Sequence, residues 1–295
     1  MNTQSKKQVP DYPALYHAAD RASVVSQRRY LFAIKVYVLF TVIGALFSNY
    51  LASSTESGII AALIFFALLA LSIFQANKRF DKIWYNGRAV AESVKTRTWR
   101  FITRAEPYID NEKVDNVKME FCNDLKEILD QNEELAEYFL HESILGETIT
   151  EEMLKIRSWD FKERLEYYIS NRINEQRNWY YTKSKMNNKY ARNWFISLVI
   201  VHLLIISFLL IEIGYGAYWL PTNSLIVVSS SILMWMQIKK YQDLATSYSL
   251  TAHEIGILKS QVFNVIDEKS LSDFVKDSEN AFSREHTQWV ARKDN

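Results

Sequence analysis

Two sets of residues in this chain have types and spacing that could do chemistry. One is polar side chains inside long apolar runs; the other is carboxylates repeated at matched places beyond those runs. His202 lies near the middle of the run Asn193 to Ile211, and Ser229, Ser230 and Ser231 lie inside the run Ile213 to Ile238. An imidazole at that depth either lines a polar path and senses protons, or stays neutral and bonds a neighbouring helix, because charge in hydrocarbon is costly. The three serines could line the same path or permit close helix packing, and as consecutive residues they cannot all face one way. Asp81 and Glu92 follow one apolar pair at the distances at which Asp243 and Glu254 follow the other. Their segments also carry Arg88 and Lys95, or Lys259, so salt bridges or caps between repeats compete with a regulatory or ligand-binding role.

Enzymatic patterns are missing from the sequence. His253 and Glu254 begin like a zinc-protease helix, but Ile257 stands where the second histidine belongs. Cys122 is the one cysteine, so no intramolecular disulfide and no cysteine pair for zinc can form. No Gly-rich strand-to-helix loop and no phosphate-cradling loop ending in Lys-Ser or Lys-Thr is present. The five histidines, His17, His141, His202, His253 and His286, are dispersed. The expectation is a protein that is not an enzyme, with no catalytic residue, metal or cofactor.

The elements that must position these residues are apolar helices. Val36 to Thr55, Ser57 to Asn77, Asn193 to Ile211 and Ile213 to Ile238 contain no charged residue, and Glu56 and Glu212 are the charges of the two joining loops. Each approaches or exceeds the ~20 residues that cross a bilayer as helix. Arg28, Arg29 and Lys35 precede the first run and Lys78, Arg79 and Lys82 follow the second; Lys189 and Arg192 precede the third and Lys239 and Lys240 follow the fourth. Because basic residues stay on the cytoplasmic side, both hairpins should point outward, with the termini and the middle of the chain inside. Lys35 is expected to snorkel to the inner interface, Glu212 to sit at the opposite one, and Trp194, Tyr215, Tyr218 and Trp219 to anchor the interfaces. Met1 to Arg29 is polar, with no apolar stretch of signal-peptide type.

The remainder reads as helix. The chain has 7 glycines and 4 prolines, none between Thr148 and Glu212, and a net charge of +1, which offers no electrostatic case for nucleic acid. Ala14 to Tyr30 should join the first span as one rod, and Lys78 to Phe101 should continue the second. Val114, Val117, Phe121, Leu125 and Ile128 form one helical face. Thr148 and Glu151 have capping-box spacing for a helix with the stripe Leu154, Phe161, Leu165 and Tyr168, which could run through Arg172 and Trp179 into the third span. Val275, Phe282 and Trp289 recur at heptad spacing in a last amphipathic helix. An offset of 162 residues superposes Gln75, Lys78, Asp81, Glu92 and Phe101 on Gln237, Lys240, Asp243, Glu254 and Phe263, which indicates a parallel duplication.

Tyr12-Pro13-Ala14-Leu15-Tyr16 with Ala18-Ala19-Asp20-Arg21-Ala22-Ser23, and Trp84 to Trp99 with Arg88, Ala91 and Glu92, resemble the bacterial SLATT membrane proteins. Arg172 to Asn187, with Gln176, Trp179, Tyr180 and Lys183, looks like the start of a second such unit, and Phe282 to Trp289 like its end. The resemblance implies an all-α membrane protein of two fused two-span domains. The first would cover residues 10–165, with spans near 31–51 and 58–76, and the second residues 168–291, with spans near 194–213 and 220–238. It further implies an effector of a bacterial conflict system in the inner membrane, oligomerising to form a pore, with a nucleotide synthase or nucleotide sensor as partner. The family brings no catalytic motif, and the chain carries no recognisable nucleotide-binding loop. The competing reading is a membrane-anchored helical scaffold that conducts nothing.

Overall fold

A computed structural model describes residues 10–50, 55–110, 114–135, 138, 146–217 and 220–291. Regular structure among them is helical throughout, with no strand. The helices are α1 (Ala14–Tyr50), α2 (Thr55–Lys78), α3 (Phe80–Thr103), α4 (Val114–Asp130), α5 (Glu151–Ser158), α6 (Phe161–Tyr168), α7 (Asn174–Tyr215), α8 (Thr222–Lys239), α9 (Tyr241–Ser260) and α10 (Glu268–Ala291). A π-helical turn, Ile169–Ile173, joins α6 to α7 without a break.

Two compact units emerge. One gathers the described residues of Gln27–Phe80 and Ser184–Thr246, and so holds the apolar runs. The other gathers those of Met1–Ser26, Asp81–Lys183 and Ser247–Asn295, the polar remainder of both halves of the sequence.

In the apolar unit, the helix containing the first run is continuous from Ala14 to Tyr50, as the absence of breakers implies. Gly44 does not interrupt it. A Cβ there would lie 3.3 Å from Ile64 Cγ2 and 3.6 Å from Phe65, so the glycine permits α1 and α2 to approach closely. The second pair is joined at Gly216, whose φ of 65° lies in the left-handed region that glycine enters without penalty. Thr222 Oγ1 then donates to Glu212 Oε1 at 2.5 Å, tying the start of α8 to the end of α7. Three helical stretches, Ala14–Ser48, Thr55–Thr103 and Phe161–Tyr215, are long and apolar enough to cross a membrane. The fourth run forms α8, of 18 residues, and is not among them, because Asn223, the three serines and Gln237 dilute its apolar content.

The helix leaving each pair departs from expectation. Instead of one rod from Lys78 to Phe101, the chain turns at Arg79, with φ 43°, and it turns again at Lys240, with φ 44°. The Arg79 amide donates to Gln75 O at 3.0 Å and the Lys240 amide to Met236 O at 2.9 Å, so each residue closes the last turn of a span in the left-handed conformation. Both sites hold a long cation where glycine would be the unstrained choice, and sequence composition gives no sign of the break.

In the polar unit, α4 buries Val117, Phe121 and Leu125 as its stripe predicts, while Val114 is exposed. The cap of the following helix is Thr150, not Thr148: its side chain accepts from the Met153 amide at 3.2 Å. The capping box belongs to α6, where Asp160 accepts from Glu163 N and Glu163 reaches back to Asp160 N. The buried face of α5 and α6 is also rotated from the predicted one. Met153, Ile156, Arg157, Arg164 and Tyr168 are buried, whereas Leu154, Phe161 and Leu165 are half-buried. In α10 the core face is Leu271, Val275, Ser278, Glu279 and Phe282; the side chain of Trp289 lies outside the described residues.

Candidate functional site

The chemical centre of the polar unit is a buried ion pair. Arg172 Nε donates to Glu279 Oε1 at 2.8 Å and Nη2 to Oε2 at 2.7 Å, a two-pronged match of planar guanidinium to carboxylate. The side chains are 2% and 0% exposed. Tyr168 Oη donates to Oε1 at 3.0 Å and Thr96 Oγ1 to Oε2 at 3.0 Å, so Glu279 accepts four bonds and its lone pairs are satisfied. Nη1 of Arg172 is buried with no hydrogen-bond partner among the described residues, and the guanidinium carbon sits 4.8 Å from the centre of the Phe282 ring. Burial alone would lower the Arg172 pKa; the Glu279 carboxylate outweighs it and holds the guanidinium above its usual range.

The elements explain how these groups meet. Thr96 comes from α3, Tyr168 from the end of α6, Arg172 from the π turn and Glu279 from α10. The wider π turn, closed by the Asn174 amide on Ile169 O, lets Arg172 follow Tyr168 onto the inner face. Beside the pair, Trp99 Nε1 donates to Tyr12 Oη at 3.0 Å, which brings the N-terminal segment into the same core. Glu92 bears electrostatically on Tyr16, Lys95 and Arg172, so this carboxylate belongs to the surroundings of the ion pair.

Further arginines finish the end of α3. Arg104 adopts φ 58°, its amide bonds to Phe101 O at 3.3 Å and that of Ala105 to Arg100 O at 2.9 Å, a Schellman arrangement with arginine in the place usual for glycine. Its side chain offsets the strain: Nε bonds to Arg157 O at 2.9 Å and lies 3.0 Å from Asp110 Oδ2. Arg157 donates to Phe101 O and Asp110, and to Tyr108 O at 2.9 Å; Arg164 donates to Thr103 O at 2.6 Å and pairs with Glu268. Buried cations therefore meet the carbonyls that the helix leaves without partners, at its negative pole.

The residues singled out in the sequence lie apart. His202 is exposed on α7, its Nδ1 2.9 Å from Leu198 O, so Nδ1 carries the proton of that bond and Nε2 faces outward. Ser229 is buried and Ser230 exposed; both donate to Ile226 O, at 2.9 and 3.0 Å, while Ser231 is half-buried. Asp81 and Glu92 are half-buried, whereas Asp243 and Glu254 are exposed. His253 and Ile257 are also exposed on α9, and His141, Tyr218 and Trp219 lie outside the described residues. Lys35 reaches the ring of Trp235 at 5.9 Å, and Trp194 packs against Trp235 at 6.4 Å between ring centres.

Sequence reasoning missed Glu279. The signal was its register: it stands four residues after Val275 and three before Phe282, an acid on the apolar stripe.

Long apolar helices whose outer flanks are bare, joined in sequence to a helical unit locked by buried charge, define an all-α membrane protein. The chain belongs to the SLATT family: residues 13–165 match the SMODS and SLOG-associating 2TM effector domain 3, and residues 168–289 match the SMODS and SLOG-associating 2TM effector domain 1. The tandem expected from sequence is thus found, as two different members of the family. No curated protein and no solved structure matches the chain. SLATT domains are two-span effector domains associated with bacterial conflict systems.

Proposed function

We propose that this protein is a membrane effector that spans the inner membrane four times, assembles with copies of itself, and opens a pore when a partner signals. The observation that carries the reading is His202, an ionisable side chain exposed in the middle of an apolar helix flank beside Leu203, Leu204 and Ile206. In lipid such a group is costly, and in known bundles it faces protein or water. A second copy would cover it, or a water-filled path would solvate it. Only 6% of the most apolar window in Phe161–Tyr215 is buried by the chain itself, so one chain leaves ample helix surface for assembly. Four thin helices enclose little water alone, which makes assembly a geometric requirement of conduction. With basic residues at one end of every span, the termini and the polar unit would lie in the cytoplasm, where a nucleotide synthase or sensor could act on them.

Dye release from liposomes holding the full chain, together with depolarisation of cells expressing it, tests the proposal. Expected are leakage on activation and its loss in His202→Leu; Ser230→Leu reports on the serines. Sealed liposomes with an assembled, partner-bound protein would overturn the pore and leave the anchored scaffold.

A further inference from the structure

The apolar unit is unbalanced in charge. Residues 27–80 and 184–246 contain ten Lys and Arg but only three acids, Glu56, Glu212 and Asp243. Glu56 and Glu212 sit near the two hairpin turns, so the end that carries the lysines has Asp243 alone, and that side chain is exposed. At this end Lys35, from α1, and Lys239, the last residue of α8, converge on one indole. Their Nζ atoms lie 5.9 and 5.8 Å from the centre of Trp235. Lys239 is also 5.8 Å from the Tyr241 ring, and the Tyr190 ring lies tilted against Tyr241 at 5.5 Å between centres.

This arrangement is not self-sufficient. Contacts near 6 Å are at the limit of cation–π attraction, two like charges share one ring, and neither lysine has a carboxylate partner among the described residues. An oxyanion would offset both lysines. Aromatic rings with lysines at a helix end also suit the headgroup layer, where an indole meets both acyl chain and polar group.

We propose that Lys35, Lys239 and Trp235 form a site for the phosphate of an anionic phospholipid headgroup, joining the first and second hairpins through a shared lipid. The site rests on the membrane reading above, and the experiment separates the two.

The full chain is placed in nanodiscs of phosphatidylcholine, with or without phosphatidylglycerol, and followed by thermal unfolding and by native mass spectrometry of retained lipid. Failure to enter nanodiscs as folded protein would sink the membrane reading itself. Given entry, phosphatidylglycerol should raise the unfolding temperature and remain bound. Lys35→Gln/Lys239→Gln should weaken its retention about tenfold or more, since each surface lysine contributes about fivefold. Lys35→Arg/Lys239→Arg should keep the effect, which guards against a folding defect in the glutamine variant. Lys78→Gln/Lys240→Gln removes equal charge from the same end outside the cluster and should weaken retention clearly less than the Lys35/Lys239 pair does. Equal loss in both glutamine pairs would overturn the site in favour of diffuse surface attraction. The same stabilisation by inorganic phosphate in phosphatidylcholine nanodiscs would overturn the lipid assignment.

Discussion

Replacing Glu279 by glutamine keeps the shape of the side chain and removes the charge that answers Arg172. Four donors now converge on the Glu279 carboxylate: two from the guanidinium, one from Tyr168 and one from Thr96. In Glu279→Gln one oxygen becomes an amide donor, so at least one of the four faces a donor, and the guanidinium stays buried without an anion. Breaking a buried pair on one side costs roughly 3–5 kcal/mol. At roughly 2–4 °C per kcal/mol for a large domain, the unfolding temperature should fall by roughly 6–20 °C. The same physics predicts an asymmetry. In Arg172→Met/Glu279→Leu combined with Tyr168→Phe and Thr96→Val, both charges leave together with the two hydroxyls that bond the carboxylate, no buried group is left unanswered, and stability should return to within about 2 kcal/mol of the parent. Loss of helical circular dichroism on heating the detergent-solubilised full chain reads both variants. A single variant within 2 °C of the parent, or a quadruple variant as damaged as the single, would refute the assignment of the pair as the core of this unit.

Burial is the first cause that raises the pKa of Tyr12, Tyr16, Tyr108, Tyr167 and Tyr168, with Tyr16 pushed up to about 12. The folded protein keeps protons that the unfolded chain releases above about 10, so these tyrosines leave stability unchanged below pH 10 and lower it as pH rises beyond it; Tyr12→Phe should make that fall shallower in an alkaline titration of the unfolding temperature. Gly87→Ala should cost about 1–2 kcal/mol in denaturant unfolding, because a Cβ there would lie 3.0 Å from Ala19 O and 3.1 Å from Ser23 N, backbone atoms that cannot swing away. Thr150→Ala and Asp160→Ala should each cost about 1 kcal/mol through the loss of an N-cap, measured the same way. Lys240→Gly relieves a left-handed φ of 44° and should leave stability unchanged or raise it by up to about 1 kcal/mol, an outcome opposite to that of glycine elsewhere in a helix.

The helical class, the apolar runs and the continuity of α1 were legible because hydrocarbon-like composition over twenty residues admits few alternatives. The stripe of α4 was legible for a similar reason, since Val117, Phe121 and Leu125 repeat at helical spacing. Pattern reading then failed where charge is buried. It assigns Arg157, Arg164, Arg172 and Glu279 to solvent, whereas each is buried and answered by a carbonyl, an opposite charge or both. The turns at Arg79 and Lys240 escaped notice because neither glycine nor proline marks them. They also correct the repeat: Arg79 and Lys240 occupy equivalent places in the two halves, one residue out of the register that aligns Lys78 with Lys240.

The interleaving of the polar unit has a consequence for biosynthesis. Its core needs Thr96, Arg172 and Glu279, and the last of these is made only when all but 16 of the 295 residues have been joined. At roughly 5–20 residues per second, synthesis of the whole chain takes on the order of 15–60 s. For the 107 residues from one to the other, about a third of that time, Arg172 has no Glu279 carboxylate to answer it, and both pairs of apolar helices are complete before the unit can close. The order of synthesis therefore places the apolar helices first and the polar lock last.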